Sequence, residues 1–551
     1  MQAIETPGPS RTLNRSAASE RAAANREANE RALQQSQPDL CILELPPDLE
    51  WVFARDGSLT ALLGGSTWWA GCSLPKRAAR FMLKDIDVAG VTACFLHPTH
   101  AAQLRVALGH LEARQAILAI QPDPKSLAVA LHCEDFSQDI AAGRLWFVAG
   151  EDWPAALEAL LARNPGLPTP SQFIRPILSE PEAADRLIEP AQAVFTEVGA
   201  RRTAILRERA AELLKIRPPT GRVCVVAPTT FRLWDDAGRV LREIELAGSG
   251  FTVRPFDPDQ PTCASPLALA EMASDCDAVI APNLYRSSVP EMVSAGIPWI
   301  SWVTSPRIPS ADGSSKRDRL LLADKDWQAA AQQAGWTPSQ IRIAGWPPVA
   351  NASHPSRMPA GLALVADTVT LTPPKHVESF SSHLLLWEHI RAELTSDPFA
   401  IDDVHDYLKT RMARYQIDSS GFDAGAFVDG LVVPAFQQGV ANLLFEEGLA
   451  FSLFGKGWNP MQFGTQLQGP VTSRQQLRAI VSGASALVHL WPTQSHPVLS
   501  SGPPVIRAFG RSRTQFLNDV RRAPLLTHAQ PHSLAAPVLN ADLLASVLKN
   551  A

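Results

Sequence analysis

The sequence lacks long apolar runs and an excess of positive charge. No uninterrupted hydrophobic stretch approaches about 18 residues, which excludes a membrane-spanning helix. The 50 Lys and Arg residues are outnumbered by 55 Asp and Glu residues, giving a net charge of −5. This balance argues against nucleic-acid binding as the main function. The first residues also lack the apolar segment of a signal peptide, so we expect a cytoplasmic protein.

Cysteine and lysine are both scarce. The seven cysteines form no C-x-x-C pair, and none lies beyond Cys276. This pattern argues against a zinc ribbon or a disulfide scaffold and fits a reducing cytoplasm. Only ten of the 50 basic residues are lysines, a bias that GC-rich coding produces, so arginine content alone indicates no function. We find no internal repeat, P-loop or serine-hydrolase elbow.

The length of 551 residues predicts several domains, because one hydrophobic core rarely organises so long a chain. Short apolar runs alternate with helical stretches, the pattern of an α/β protein with parallel strands. We predict a disordered tail at 1–37, an N-terminal α/β domain at 38–170 and a helical connector at 171–217. Two Rossmann-like lobes of GT-B type follow at 218–350 and 351–551, the second with a helical insert at about 380–449.

A short motif in the second lobe carries the strongest chemical signal. A predicted strand at 451–454 is followed directly by Gly455, Lys456, Gly457 and Trp458. Ligands of open α/β sheets bind at the carboxyl ends of strands. Paired glycines let a backbone approach a phosphate, and lysine adds a positive charge. The same residues also fit an ordinary tight turn with an exposed lysine.

The segments that follow this motif give it a context. Gly469-Pro470-Val471, a strand ending at Leu490 and Gly502-Pro503-Pro504-Val505-Ile506 occur in that order. This order resembles the C-terminal lobe of CgeB-like (spore maturation type) glycosyltransferases of the GT-B fold. The resemblance spans roughly 221–523 and implies a nucleotide-sugar donor, no cofactor and no bound metal. It implies donor-binding roles for Gly455, Lys456, Gly457, Trp458, His489, His496, Ser500 and Gly502.

One departure from that family matters. The family usually has an acidic residue before the last of these segments, where it would hold hydroxyl groups of the donor. Here the corresponding stretch runs from Pro497 to Gly502 without a carboxylate. Three explanations are open: His496 or Ser500 substitutes for the acidic residue, the donor differs, or the transfer activity is lost. The alternative function is therefore a non-catalytic carbohydrate- or protein-binding scaffold on the same fold.

The N-terminal domain has a looser resemblance. Segments at 116–124, 133–140 and 144–151 are similar to the amino-terminal region of motility accessory factor proteins, which are implicated in flagellin glycosylation. Asp123, just beyond the second predicted strand, fits either a contact with a ribose or the start of a helix. His97 and His100 fit a surface turn better than a metal pair, because Pro98 breaks the helical spacing.

The first lobe supplies the candidates for catalysis. Inverting transfer needs a base near the acceptor hydroxyl, and we assign Asp235 to this role, whereas Asp236 fits a helix cap better. Asn283 and Thr304 follow predicted strands and are expected to line the same site. The predicted function is transfer of a sugar from a nucleotide-activated donor to a hydroxyl of an unidentified glycan or protein.

Overall fold

The computed structural model describes most of the chain and divides it into two compact units. The described residues are 15–40, 44–84, 86, 88, 90–112, 114–175, 181–215, 219–229, 233, 237–244, 250–289, 296–347, 361–418, 422–491, 504–523 and 537–550. The first unit comprises 1–212 and 256–274, and the second comprises 213–255 and 275–551. Within the described ranges, no helix has the length and apolar character needed to cross a bilayer.

The first unit contains a small antiparallel sheet and a parallel sheet flanked by helices. Its elements up to residue 213 are Arg15–Ser36 (α1), Leu49–Phe53 (β1), Leu59–Leu63 (β2), Thr67–Trp68 (β3), Pro75–Met82 (α2), Thr92–Leu96 (β4), Ala101–His110 (α3), Ala116–Gln121 (β5), Pro124–Cys133 (α4), Ser137–Ala141 (α5), Leu145–Ala149 (β6), Trp153–Arg163 (α6), Gln172–Ile174 (β7) and Pro181–Leu213 (α7). The antiparallel sheet is β1-β2-β3, which we did not predict.

The parallel sheet of this unit extends beyond the boundary that we expected at residue 170. Its order is β6-β5-β4-β7, and β7 pairs in parallel with β4. Helix α7 packs Leu187, Ala191, Phe195 and Val198, which recur at helical spacing, into the core beneath this sheet. The segment at 171–212, which we predicted to be part of a connector, therefore belongs to the first unit.

The predicted disordered tail is wrong for residues 15–36, which form α1. This helix is anchored by buried polar side chains as well as by buried apolar ones, which are Ala18, Ala22, Ala32 and Leu33. Asn29 is fully buried and donates to the carbonyls of Leu131 and Glu134 at 2.7 and 2.8 Å. Asn25 donates to the carbonyl of His132 at 3.0 Å. These carbonyls lie at or just beyond the end of α4, where a helix lacks internal partners for them, so α1 caps α4.

A six-stranded sheet organises the first part of the second unit. The elements from 222 to 343 are Arg222–Val226 (β8), Ala237–Glu243 (α8), Thr252–Phe256 (β9), Pro266–Ser274 (α9), Ala278–Pro282 (β10), Trp299–Val303 (β11), Arg319–Leu322 (β12), Gln328–Gln333 (α10) and Ile341–Ile343 (β13). The strand order is β13-β12-β11-β10-β8-β9. Four neighbouring pairs are parallel, namely β8–β10, β10–β11, β11–β12 and β12–β13. Helix α9, which we placed in this lobe, belongs to the first unit.

A second parallel sheet and a helical insert form most of the rest of the second unit, whereas the helix Ala541–Lys549 packs through Leu544 and Val547 into the core of the six-stranded sheet, outside the lobe that we predicted at 351–551. Its elements are Leu362–Val365 (β14), Lys375–Glu378 (α11), Ser381–Ser396 (α12), Val404–Arg414 (α13), Ala424–Phe427 (α14), Val433–Glu446 (α15), Ser452–Phe454 (β15), Pro460–Phe463 (α16), Leu467–Gly469 (β16), Arg474–Gly483 (α17), Ala486–His489 (β17), Val505–Arg507 (β18), Arg513–Arg522 (α18) and Ala541–Lys549 (α19). The strand order is β16-β15-β14-β17-β18, and all four neighbouring pairs are parallel. The predicted α/β class with Rossmann-like lobes is confirmed.

The helical insert has an irregular turn with an identifiable cause. Between α14 and α15, residues Val428–Val432 form a π-helical turn. Pro434 stands at the start of α15, where its ring cannot donate a backbone hydrogen bond and crowds the carbonyl four residues earlier. The π turn relieves this conflict and contains Asp429.

Candidate functional site

The strand order of the β14–β18 sheet locates its candidate ligand site. Counted along the chain, the order is 3-2-1-4-5, so the chain reverses direction across the sheet between β14 and β17. Ligands of open α/β sheets bind outside the carboxyl ends of the strands at such a switch point. The Gly455–Gly457 loop follows β15, next to β14, and His489 ends β17. The sheet therefore brings these predicted residues to one edge.

The two glycines of the loop serve close packing between neighbouring loops. Gly455 and Gly457 have φ angles of +132° and +80°. A Cβ atom on Gly455 would lie 1.8 Å from the carbonyl oxygen of Ala366, and one on Gly457 would lie 1.9 Å from that of Thr368. Only glycine fits at these positions, because the loop after β15 lies directly on the loop after β14.

The chain itself uses two of the amides that a phosphate could bind. The amide of Gly455 donates to the carbonyl of Gly469 at 2.9 Å. The amide of Lys456 donates to Oδ1 of Asp367 at 2.7 Å. In return, the carbonyl of Lys456 accepts from the amide of Thr368 at 2.9 Å. The exposed side chain of Lys456 remains the clearest anion-binding group of the loop.

Asp367 is a site residue that our reading of the sequence missed. It is half-buried and follows β14, the central strand of the sheet. Burial raises the pKa of its carboxyl above the ordinary value, and the hydrogen bond and positive charge of Lys456 oppose that rise. Perturbed acids at a strand edge are candidates for function. The sequence contains a signal for this residue, because an acidic side chain directly follows the apolar run that forms β14.

Trp458, predicted to bind the donor, lies in the core. Its side chain is 5% exposed, and its indole nitrogen donates to the carbonyl of Ala366 at 2.8 Å. Its ring meets Phe463 edge-on, with 5.8 Å between centroids. Trp458 lies in the loop after β15 and contacts the loop after β14. It therefore fixes these two loops against each other.

The far side of the switch point carries a histidine and an arginine. His489 is 3% exposed, and Arg507 lies opposite it in the register between β17 and β18. Burial lowers the pKa of the Arg507 guanidinium, while the nearby carboxylate of Asp324 opposes this shift. Arg507 was not predicted, because arginine is common in this chain and its strand is only three residues long.

In the six-stranded sheet, the structure brings two predicted residues together. Asn283 follows β10 with a φ angle of +47°. Its side-chain amide donates to the hydroxyl of Thr304 at 2.5 Å, and its oxygen accepts from the amide of Thr304 at 2.8 Å. This pair ties together the carboxyl ends of β10 and β11. The switch point of this sheet lies between β8 and β10, directly beside Asn283.

The loop after β11 also contacts the helical insert. The hydroxyl of Ser305 donates to Oδ1 of Asp429 at 3.1 Å, and a guanidinium nitrogen of Arg307 lies 3.7 Å from Oδ2. The hydroxyl of Tyr285 donates to the carbonyl of Arg307 at 2.9 Å. The carboxyl edge of one sheet is thereby linked to the insert of the other through the π turn.

Four predicted site residues lie outside the described residues. They are Asp235, His496, Ser500 and Gly502. The sequence also predicts a helix at 289–295, of which only Val289 lies within the described residues. The roles of these four residues stay predictions.

The first unit gives its polar candidates structural roles. Both carboxylate oxygens of Asp123 accept hydrogen bonds from the start of α4, through the amides of Lys125 and Ser126, which supports the helix-start interpretation. His100 is buried and caps α3 rather than lying in a surface turn. Among the described residues, no three His, Cys, Asp or Glu side chains converge as a metal site.

A cavity of about 450 Å³ lies beside β6 in the same unit. Its lining is mainly apolar and includes Trp146, Ala149 and Leu160. None of the residues that we predicted to bind a ligand lines it. The candidate site therefore stays at the strand edges of the second unit.

The fold defines this chain as an α/β protein with several parallel sheets flanked by helices. No protein-family model matches it, and no curated protein matches it. Among solved structures, the chain is similar to one titled as the MAf glycosyltransferase from Magnetospirillum magneticum AMB-1, with 12% sequence identity and a TM-score of 0.24. The match covers 52% of this chain and 54% of that one, so the chain spans about half the length of its match. Membership of the CgeB-like family stays a prediction.

Proposed function

We propose that the protein is a glycosyltransferase that takes a sugar from a nucleotide-activated donor and transfers it to an acceptor hydroxyl. The observation that carries this proposal is the edge of the β14–β18 sheet. There Lys456 presents an ammonium group beside the switch point, and His489 and Arg507 end the two strands on its other side. The positive charges of Lys456 and Arg507 at this edge suit the phosphates of a nucleotide.

Catalysis in this proposal is electrostatic stabilisation and positioning. Lys456 neutralises negative charge that develops on the departing phosphate, an effect that is large where donors are fixed before the reaction. The interlocked loops after β14 and β15 hold Lys456 in place. The Asn283–Thr304 pair fixes the edge of the other sheet, where the acceptor would lie. Asp235 remains our candidate for the base that removes the acceptor proton.

Substitution of Lys456 tests the proposal. A charge-assisted hydrogen bond contributes about 1.5–3 kcal/mol, so Lys456→Ala should weaken nucleotide binding by about 10–150-fold. The melting temperature should stay unchanged, because the side chain is exposed. We would titrate UDP and GDP into both proteins by calorimetry. Lys409→Ala removes an exposed lysine of α13 in the same unit and serves as the matched control.

The two results have distinct meanings. Weaker binding in Lys456→Ala with unchanged binding in Lys409→Ala would support the phosphate role. Equal affinities in wild type and folded Lys456→Ala would contradict it and leave the segment as a structural turn.

A non-catalytic binding scaffold is the second candidate, and one observation favours it. The amides of Gly455 and Lys456 already bond within the chain, the second of them to a carboxylate. A site built this way offers a phosphate fewer donors than a typical glycine-rich loop. A scaffold would bind a glycan without a nucleotide, whereas the transferase requires nucleotide binding.

A further inference from the structure

A carboxylate occupies the position at the Gly455–Gly457 loop that suits a phosphate oxygen. Successive backbone amides beside residues with positive φ form a concave site for anions. In this loop, Oδ1 of Asp367 takes the amide of Lys456 at 2.7 Å. None of the described residues donates a hydrogen bond to its other oxygen, Oδ2. The chain therefore brings its own anion to this loop.

We propose that Asp367 is an internal competitor of the ligand phosphate at the Gly455–Gly457 loop. This inference rests on the proposed nucleotide site and adds a regulator to it. While Asp367 is ionised, its charge offsets that of Lys456 and its Oδ1 occupies the Lys456 amide. A ligand phosphate gains the full charge of Lys456 when Asp367 is neutral, and it gains the Lys456 amide as well when Asp367 is displaced.

The surroundings of Asp367 fit a competitor better than a simple structural link. The loops are already held together by the bond from the Thr368 amide to the Lys456 carbonyl and by the bond from the Trp458 indole to Ala366. The carboxylate is therefore not needed to join them. Burial disfavours its ionised form. Lys456 faces it from the loop after β15, while His489 and Arg507 end the strands on its other side.

The variant Asp367→Asn isolates the charge. Asparagine keeps a side-chain oxygen that can accept from the Lys456 amide, but it carries no charge. We would measure the affinities of inorganic pyrophosphate, UDP and GDP at pH 7 by calorimetry. We expect about tenfold tighter binding to the variant, the order expected when one like charge is removed beside a partly exposed site. Asp402→Asn, an exposed position before α13, controls for the change in net charge.

Each outcome decides a different claim. Tighter binding to Asp367→Asn and unchanged binding to Asp402→Asn would support the competitor role. If wild type binds a probe and Asp367→Asn binds it equally or more weakly, this inference fails while the proposed function stands. If neither wild type nor Asp367→Asn binds any probe, both fail. Should Asp367→Asn not fold, Asp367→Ala replaces it with the same expected direction.

Discussion

Substitution of Gly457 by alanine measures how tightly the two loops of the site interlock. The new Cβ would lie 1.9 Å from the carbonyl oxygen of Thr368, whereas contacts under 3.0 Å essentially do not occur. The backbone must therefore move by about 1.1 Å, the difference between 3.0 and 1.9 Å. Such a shift disrupts the 2.9 Å bond between the Thr368 amide and the Lys456 carbonyl.

The magnitude follows from two contributions. Left-handed backbone costs a non-glycine residue about 1–2 kcal/mol. Disrupting the hydrogen bond and the packing between the loops adds about 2–3 kcal/mol. We therefore expect Gly457→Ala to destabilise the site by about 3–5 kcal/mol.

Gly469→Ala is the matched control for this experiment. Gly469 has a similar φ of +97°, but a Cβ there would meet no atom within 4 Å. It should therefore cost only the backbone strain of about 1–2 kcal/mol. Hydrogen exchange at the Thr368 amide reports the local loss directly, which suits a chain of two units. Equal loss of protection in the two variants would refute the interlocked geometry.

Two further predictions concern the first unit. Asn29→Ala should detach α1, because it leaves the carbonyls of Leu131 and Glu134 without a buried donor. The cost is about 1–3 kcal/mol for each carbonyl. Faster hydrogen exchange in α1 would confirm this prediction, and unchanged exchange would contradict it. Burial lowers the pKa of His100 to about 4. As the pH falls from about 6.5, the unfolded state therefore binds a proton before the folded state does. The free energy of unfolding should then drop by about 1.4 kcal/mol per pH unit. His100→Asn keeps an acceptor for the cap but cannot titrate there, so its urea midpoint should fall less between pH 6.5 and 4; identical profiles would contradict the prediction.

The sequence predicted many of the parallel strands, because their signals are local, but it did not predict the antiparallel sheet β1-β2-β3. Apolar runs such as the one that became β8 are read directly from hydrophobicity, and the helix after Ser473 begins where its side chain accepts from the amide of Gln476. Helix α1 was missed for the opposite reason. Its docking depends on asparagines whose partners are carbonyls more than 100 residues away. From composition alone, such polar residues are predicted to be exposed to solvent.

The candidate site was only partly predictable. The position of Lys456 follows from its place after a strand, and Asn283 and Thr304 were correctly placed at the ends of neighbouring strands. The roles of Gly455 and Gly457 in loop packing were not predictable, because they depend on the carbonyls of Ala366 and Thr368. These carbonyls reach the loop because β14 and β15, which the insert separates in the sequence, pair in the sheet.

The most direct test of the proposed function is a thermal-shift measurement with nucleotides and nucleotide sugars. Wild-type protein would be titrated with UDP, GDP and CMP and with sugar conjugates of each. Binding to the native state alone stabilises it by about 2.7 kcal/mol at a ligand concentration of 100 times Kd. We predict a saturable rise in melting temperature for at least one nucleotide, strongly reduced in Lys456→Ala. No shift with any of these ligands, or a shift that Lys456→Ala leaves unchanged, would contradict a nucleotide-sugar site at the β14–β18 sheet.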